Sequence, residues 1–148
     1  MTADIRKAEI GDCAALARLS AEAFSQPMSD REFARELDVS FSHTLVACVC
    51  GVPVGFINIW LTGGNADLNN IAVSSDHRHK GIGQGLLDKA LTLCEGLDTM
   101  TLEVRRSNAA AIAFYEKNGF EAVGTRKNFY ERPVEDALIY ILKLGEKK

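Results

Sequence analysis

Residues 74–91 read SSDHRHKGIGQGLLDKAL, and their reading decides the fold. Arg78-His79-Lys80-Gly81-Ile82-Gly83 sets basic side chains and two glycines directly before an apolar repeat. Ile82, Leu86, Ala90, Leu93 and Cys94 recur at helical spacing and predict a helix over 81–95. At such a helix mouth the first N–H groups lack intrahelical partners, and the positive end of the helix dipole lies behind them, which suits a phosphate. Glycine lets the backbone approach closely. Two familiar phosphate loops fail here on specific residues. A P-loop needs Lys-Ser/Thr after its last glycine, and none follows Gly85. The dinucleotide fingerprint needs a third glycine where Leu86 stands.

Outward from this stretch, the elements alternate in type. Ile5–Ala8 predicts an edge strand, and residues 12–25, after Gly11-Asp12, predict a helix. Ser29 followed by Glu32 fits a capping box opening a second short helix, with Phe33 and Leu37 as its stripe. His43–Cys50 and Val54–Leu61, joined by Gly51-Val52-Pro53, read as a hairpin. Gly63-Gly64-Asn65 turns the chain into Ala66–Val73. Downstream, Thr99–Val104 alternates, with Met100, Leu102 and Val104 one way and Thr101 and Glu103 the other. Ser107-Asn108 caps a helix through 118, with Gly119 suited to the left-handed position after it. Phe120–Thr125 and Ala137–Leu142 close the chain as strands. The order β-α-α-β-β-β-α-β-α-β-β predicts a single α/β domain over residues 1–148, a mixed sheet with helices on both faces.

Composition narrows the function classes. With 148 residues, 47% apolar and 25% charged, the chain has the makings of one soluble core. A net charge of −3 argues against nucleic-acid binding by counterion release. No apolar run reaches membrane-spanning length, and MTADIRKAEIGD has no signal-type apolar core, so the cytoplasm is the expected location. Cys48 and Cys50, two apart in a strand-like run, are expected to face the same way. With Cys13 and Cys94 they form no CxxC pair, so all read as small apolar residues rather than metal ligands.

The hexapeptide Arg78–Gly83 fits the Gln/Arg-x-x-Gly-x-Gly/Ala pyrophosphate loop of the GCN5-related N-acetyltransferase superfamily. LEVRRSNAAAIAFYEKNGF (102–120), NNIAV (69–73) and RKNFY (126–130) are similar to the ribosomal-protein-alanine N-acetyltransferase family, a branch of it. The resemblance implies a mostly antiparallel sheet of about seven strands flanked by four helices. It implies acetyl-CoA as cosubstrate, no metal, and direct attack by an amine with no covalent enzyme intermediate. It implies coenzyme A contacts from Ile71, Ala72, Val73, Arg78, His79, Lys80, Gly81, Ile82, Gly83, Gln84 and Asn108. In the family a bulge beside the Ile71–Val73 match aims a main-chain N–H at the thioester carbonyl. Glu103 matches the general base and Tyr115 the acid that protonates, or hydrogen-bonds, the departing thiolate.

The acceptor implied is the N-terminal alanine of a small-subunit ribosomal protein. An ordinary glutamate is a weak base for an ammonium, so Glu103 needs burial or a bridging water. An α-amine helps, since exposing it as the neutral nucleophile costs roughly 3–4 kcal/mol less than for lysine. Two departures fall where the acceptor sits: Met28 stands for the family tryptophan, and the stretch after Tyr130, Glu131–Asp136, is short. Tyr130 is the one candidate acceptor contact. A small-molecule amine is the alternative acceptor, and a non-catalytic acyl-CoA-binding module the alternative class.

Overall fold

Seven strands and four helices follow the predicted order in the computed structural model, which describes residues 3–145. They are β1 (Asp4–Lys7), α1 (Cys13–Ala23), α2 (Asp30–Leu37), β2 (Ser42–Val49), β3 (Val52–Thr62), β4 (Asn65–Val73), α3 (Ile82–Thr92), β5 (Thr99–Arg105), α4 (Ala109–Lys117), β6 (Glu121–Tyr130) and β7 (Glu135–Lys143). Short 3-10 turns occupy Ile10–Asp12 and Ser75–His77. The strand order is β1-β2-β3-β4-β5-β7-β6. Antiparallel ladders join β1 to β2, β2 to β3, β5 to β7 and β7 to β6. Two compact units divide the chain. One runs to Leu61 and again from Leu68 to Glu95; the other comprises Thr62–Asp67 and the described residues from Gly96 onward.

In the first unit the β2–β3 hairpin turns on Cys50-Gly51, with φ of +52° and +80°. Both central residues of a two-residue turn at positive φ give the twist that paired strands need. Cys50 is therefore exposed in the turn, while Cys48 is buried in β2, correcting the expectation that the two share a face. The core gathers Leu16, Phe33, Val46 and Phe56, each almost wholly buried, and Phe33 meets Phe56 edge-on at 5.3 Å. Burying a side chain of this size stabilises by about 1.5–3 kcal/mol. The capping box forms as read: Ser29 Oγ accepts from Glu32 N and Glu32 Oε1 accepts from Ser29 N. Asp12 stands at the N-cap of α1 without a side-chain bond to it, and instead closes a capping box on the preceding 3-10 turn. Its carboxylate accepts both Arg6 Nη1 (2.8 Å) and Nη2 (3.0 Å), plus Glu9 N (2.7 Å). That forked bond from Arg6 is the main reason the carboxyl sits below its usual range.

In the second unit β5 keeps the predicted alternation, with Met100, Leu102 and Val104 buried and Thr101, Glu103 and Arg105 less so. The end of α4 is fixed by Gly119, at φ +94°. Phe120 N donates to Tyr115 O and Gly119 N to Glu116 O, the paired bonds of a Schellman stop. Its apolar contact joins Tyr115 to Phe120, ring centroids 5.6 Å apart. Strand β6 runs five residues beyond the predicted Thr125, to Tyr130. Its residues 121–129 are exposed on both faces at the sheet edge, so no apolar alternation marks them.

Candidate active site

The first unit holds the phosphate-type loop. After β4 and the 3-10 turn, the chain passes through His79 at φ +64° and Gly81 at φ +82° before α3 begins. Arg78 folds back, its Nε donating to Val73 O at 3.1 Å. Gly81 is the N-cap of α3 and offers no side-chain acceptor, so Ile82 and Gly83 receive no cap from it. Gly85 N donates to Gly81 O and closes the first turn. Gln84 pairs along the helix with Asp88 at 2.9 Å. A residue the sequence reading passed over positions this helix. A Cβ on Gly55 of β3 would lie 3.0 Å from Ala72 O and 3.3 Å from Leu86 Cδ1, so glycine there permits the close approach of α3 and β4. Met28, in the place of the family tryptophan, lies beside β4, with Asn70 Nδ2 3.8 Å from its sulfur.

The second unit holds the acid–base candidates Glu103 and Tyr115, and Tyr130 interacts with each of them. Tyr115 projects from α4 into an aromatic group with Phe114 and Phe120 and is 6% exposed. Its hydroxyl accepts or donates no hydrogen bond among the described residues. Burial pushes its phenol pKa well up, and nearby Tyr130 adds to the shift. Tyr130, half-buried, is pushed up to about 12, first by burial and then by the charge of Glu103. Asn108 is the N-cap of α4, its Oδ1 accepting from Ala111 N at 3.2 Å.

Sequence reading did not single out the partner of Glu103. Arg126 of β6 forms an ion pair with it through Nε. Ala137 of β7 stands in register with Arg105 on one side and Arg126 on the other. Its small side chain leaves an arginine room to reach across β7. The Arg126 and Glu103 side chains are 58% and 30% exposed. A pair this open contributes about 0–1 kcal/mol.

Among the described residues no group of His, Cys, Asp and Glu has the arrangement of a metal site. No helix there is long and apolar enough to cross a membrane. What the chain does have is a bare, left-handed loop at a helix start and a carboxylate, Glu103, whose charge reaches the Tyr130 phenol.

The chain is similar to known proteins. Residues 12–120 match the acetyltransferase (GNAT) family. The ribosomal protein bS18-alanine N-acetyltransferase of Escherichia coli K12 is 44% identical over 84 residues, 54% of this chain and 57% of that one. N-alpha-acetyltransferase RimI of Mycobacterium tuberculosis is 33% identical over 148 residues, 93% of each chain. The crystal structure of the ribosomal-protein-S18-alanine N-acetyltransferase from Escherichia coli matches with a TM-score of 0.89 and 32% identity, over 99% of this chain and 96% of that chain. With a family match over most of its length and a relative aligned nearly end to end, this chain belongs to the GNAT acetyltransferase family.

Proposed function

We propose that the protein transfers an acetyl group from acetyl-CoA to an N-terminal α-amine, with the N-terminal alanine of a small-subunit ribosomal protein as acceptor. The names of its Escherichia coli relatives support that acceptor. The observation that supports the catalytic reading is that Tyr130 interacts with both Glu103 and Tyr115 in one unit.

The uncapped start of α3 and the left-handed loop before it fit a diphosphate, which takes hydrogen bonds from backbone N–H groups. Gly81, Ile82 and Gly83 would hold it, with Arg78, His79 and Lys80 adding positive potential. The main chain of Ile71–Val73 would line the pantetheine arm, and Asn108 would contact the cofactor beyond its cap. Bound there, coenzyme A supplies the acetyl group as an activated thioester.

Glu103 takes the proton from the acceptor ammonium, directly or through one water, once Arg126 is displaced. The freed amine nitrogen then bonds to the acetyl carbon as the carbon–sulfur bond breaks, and the second proton of that nitrogen passes to the departing thiolate or to solvent. Tyr115 stays protonated, because its burial disfavours the phenolate. A thiol ionises near 8.5, so full proton transfer from so weak an acid is uphill. Tyr115 therefore stabilises the leaving thiolate by donating a hydrogen bond. Tyr130, beside Glu103, contacts the acceptor.

Mass spectrometry on a panel tests this: purified protein, acetyl-CoA, an Ala-starting basic peptide, its N-blocked form, and several small amines. One acetyl added to the free-N-terminus peptide alone is the expected result. Acetylation of a small amine instead overturns the acceptor. Binding of acetyl-CoA with no acetylation of any amine overturns the activity.

A further inference from the structure

We infer that Arg105 is a positioning residue: it clamps the segment linking β6 to β7, fixes the Tyr130 ring, and so sets which acceptors are used. This rests on the acceptor reading of Tyr130 above.

Arg105 leaves β5 two residues after Glu103 and therefore lies on the same face of the strand. Its Nη2 donates to Glu131 O at 2.8 Å and its Nη1 to Pro133 O at 3.0 Å. Nη1 also meets Glu135 Oε1 at 3.2 Å. The guanidinium carbon stands 4.5 Å from the centre of the Tyr130 ring. One cation thus holds the near end of the segment by its ring, the middle by two carbonyls and the far end by a carboxylate. Glu135 in turn accepts Ser107 N at 2.6 Å through its other oxygen, tying the same cluster to the residue before the α4 cap.

The Arg105 and Glu135 side chains are 20% and 17% exposed, so this pair is shielded far better than Arg126–Glu103. Glu131–Val134 are themselves exposed. A surface segment of that kind holds one shape only when something fixes its backbone. Arginine suits the task because its planar fork serves divergent acceptors while its face stacks on an aromatic ring. Lysine, a point charge on a flexible stem, matches the charge without the fork. Glu103 and Tyr115 lie outside the clamped segment. Loosening the clamp should therefore weaken acceptor binding and selectivity while sparing the chemical step.

Arg105→Ala and Arg105→Lys test this on the full chain, with three readouts. First, Arg105→Ala raises KM for an Ala-starting peptide about tenfold with kcat within about threefold, and Arg105→Lys falls between it and wild type. Second, discrimination between Ala-starting and Met-starting peptides narrows, while calorimetric acetyl-CoA affinity stays within about twofold. Third, cleavage by Glu-C protease after Glu131 accelerates at least about fivefold in Arg105→Ala. Unchanged KM and discrimination, or an unchanged cleavage rate, would overturn the inference. So would a parallel fall in kcat, peptide affinity and acetyl-CoA affinity in both variants, which marks a merely structural role. If wild type acetylates only small amines, the peptide reading fails on its own. The clamp is then judged by that amine's KM in Arg105→Ala and by the cleavage rate.

Discussion

Helices α3 and α4 both begin at residues assigned to the cofactor, yet their first turns are finished in opposite ways. Helix α3 starts from a left-handed glycine with no side-chain cap. Helix α4 starts from Asn108, whose side-chain oxygen Oδ1 accepts from Ala111 N. An asparagine cap stabilises a helix by about 1 kcal/mol over alanine, but a glycine at the N-cap gives up only a few tenths of that, so the bare start of α3 costs little. What α3 retains instead is a set of donors for a ligand. The unit around α4 spends its polar groups internally, on the cap, the Schellman stop behind Tyr115 and the Arg105 clamp. On the proposed function, the contrast is between a unit that would grip through backbone and one that would react through side chains.

The largest effect expected follows from that division. Glu103→Gln should lower kcat by about 10²–10⁴ while acetyl-CoA affinity stays within about twofold. Steady-state kinetics beside calorimetry measures both, and loss of affinity in step with kcat would break the division. A smaller effect probes the α4 start. Asn108→Ala should lose about 1 kcal/mol of stability in denaturant unfolding, whereas Asn108→Asp keeps an equivalent cap and most of that stability. A drop in acetyl-CoA affinity in Asn108→Asp at full stability would assign the cofactor contact to the amide nitrogen.

The smallest effect is a contrast in pH. All three tyrosines, Tyr115, Tyr130 and Tyr140, have raised values, burial being the first cause in each. Absorbance titration of the native protein should show less phenolate at pH 10 than the same protein in denaturant, where the midpoint is about 10. Because the folded values are higher, this stability is complete below pH 10 and is lost as pH rises toward about 12 for Tyr130. Asp12 in the other unit has the opposite sign. Its carboxyl is lowered, so its contribution is complete above about pH 4 and is lost as pH falls through the lower folded value. Equal phenolate at pH 10 in the native and the denatured protein would contradict the raised values.

What the sequence revealed depends on how local each signal is. The β5 alternation, the Ser29–Glu32 box, the Asn108 cap and the Gly119 stop each depend on neighbours within a few residues, and each formed as read. The Glu103–Arg126 pair and the Arg105 clamp depend on the registers of β5 with β7 and of β7 with β6. No spacing along the chain encodes those registers. The same holds for Gly55, whose purpose appears only when Ala72 and Leu86 come against it. Strand β6 was cut short at Thr125 because an edge strand exposed on both faces carries no apolar period. Cys50 looked like strand until its positive φ placed it in the turn.

The most direct test of the account is calorimetric titration of acetyl-CoA into Gly81→Asn and Gly81→Asp. A Cβ at position 81 meets nothing within 4 Å, and both residues tolerate the left-handed backbone. The pair therefore differs chiefly in one negative charge at the start of α3. The account predicts affinity within about threefold of wild type for Gly81→Asn and a loss of about 30-fold for Gly81→Asp, roughly 2 kcal/mol, shrinking at high salt. Equal affinities for the two variants would contradict it.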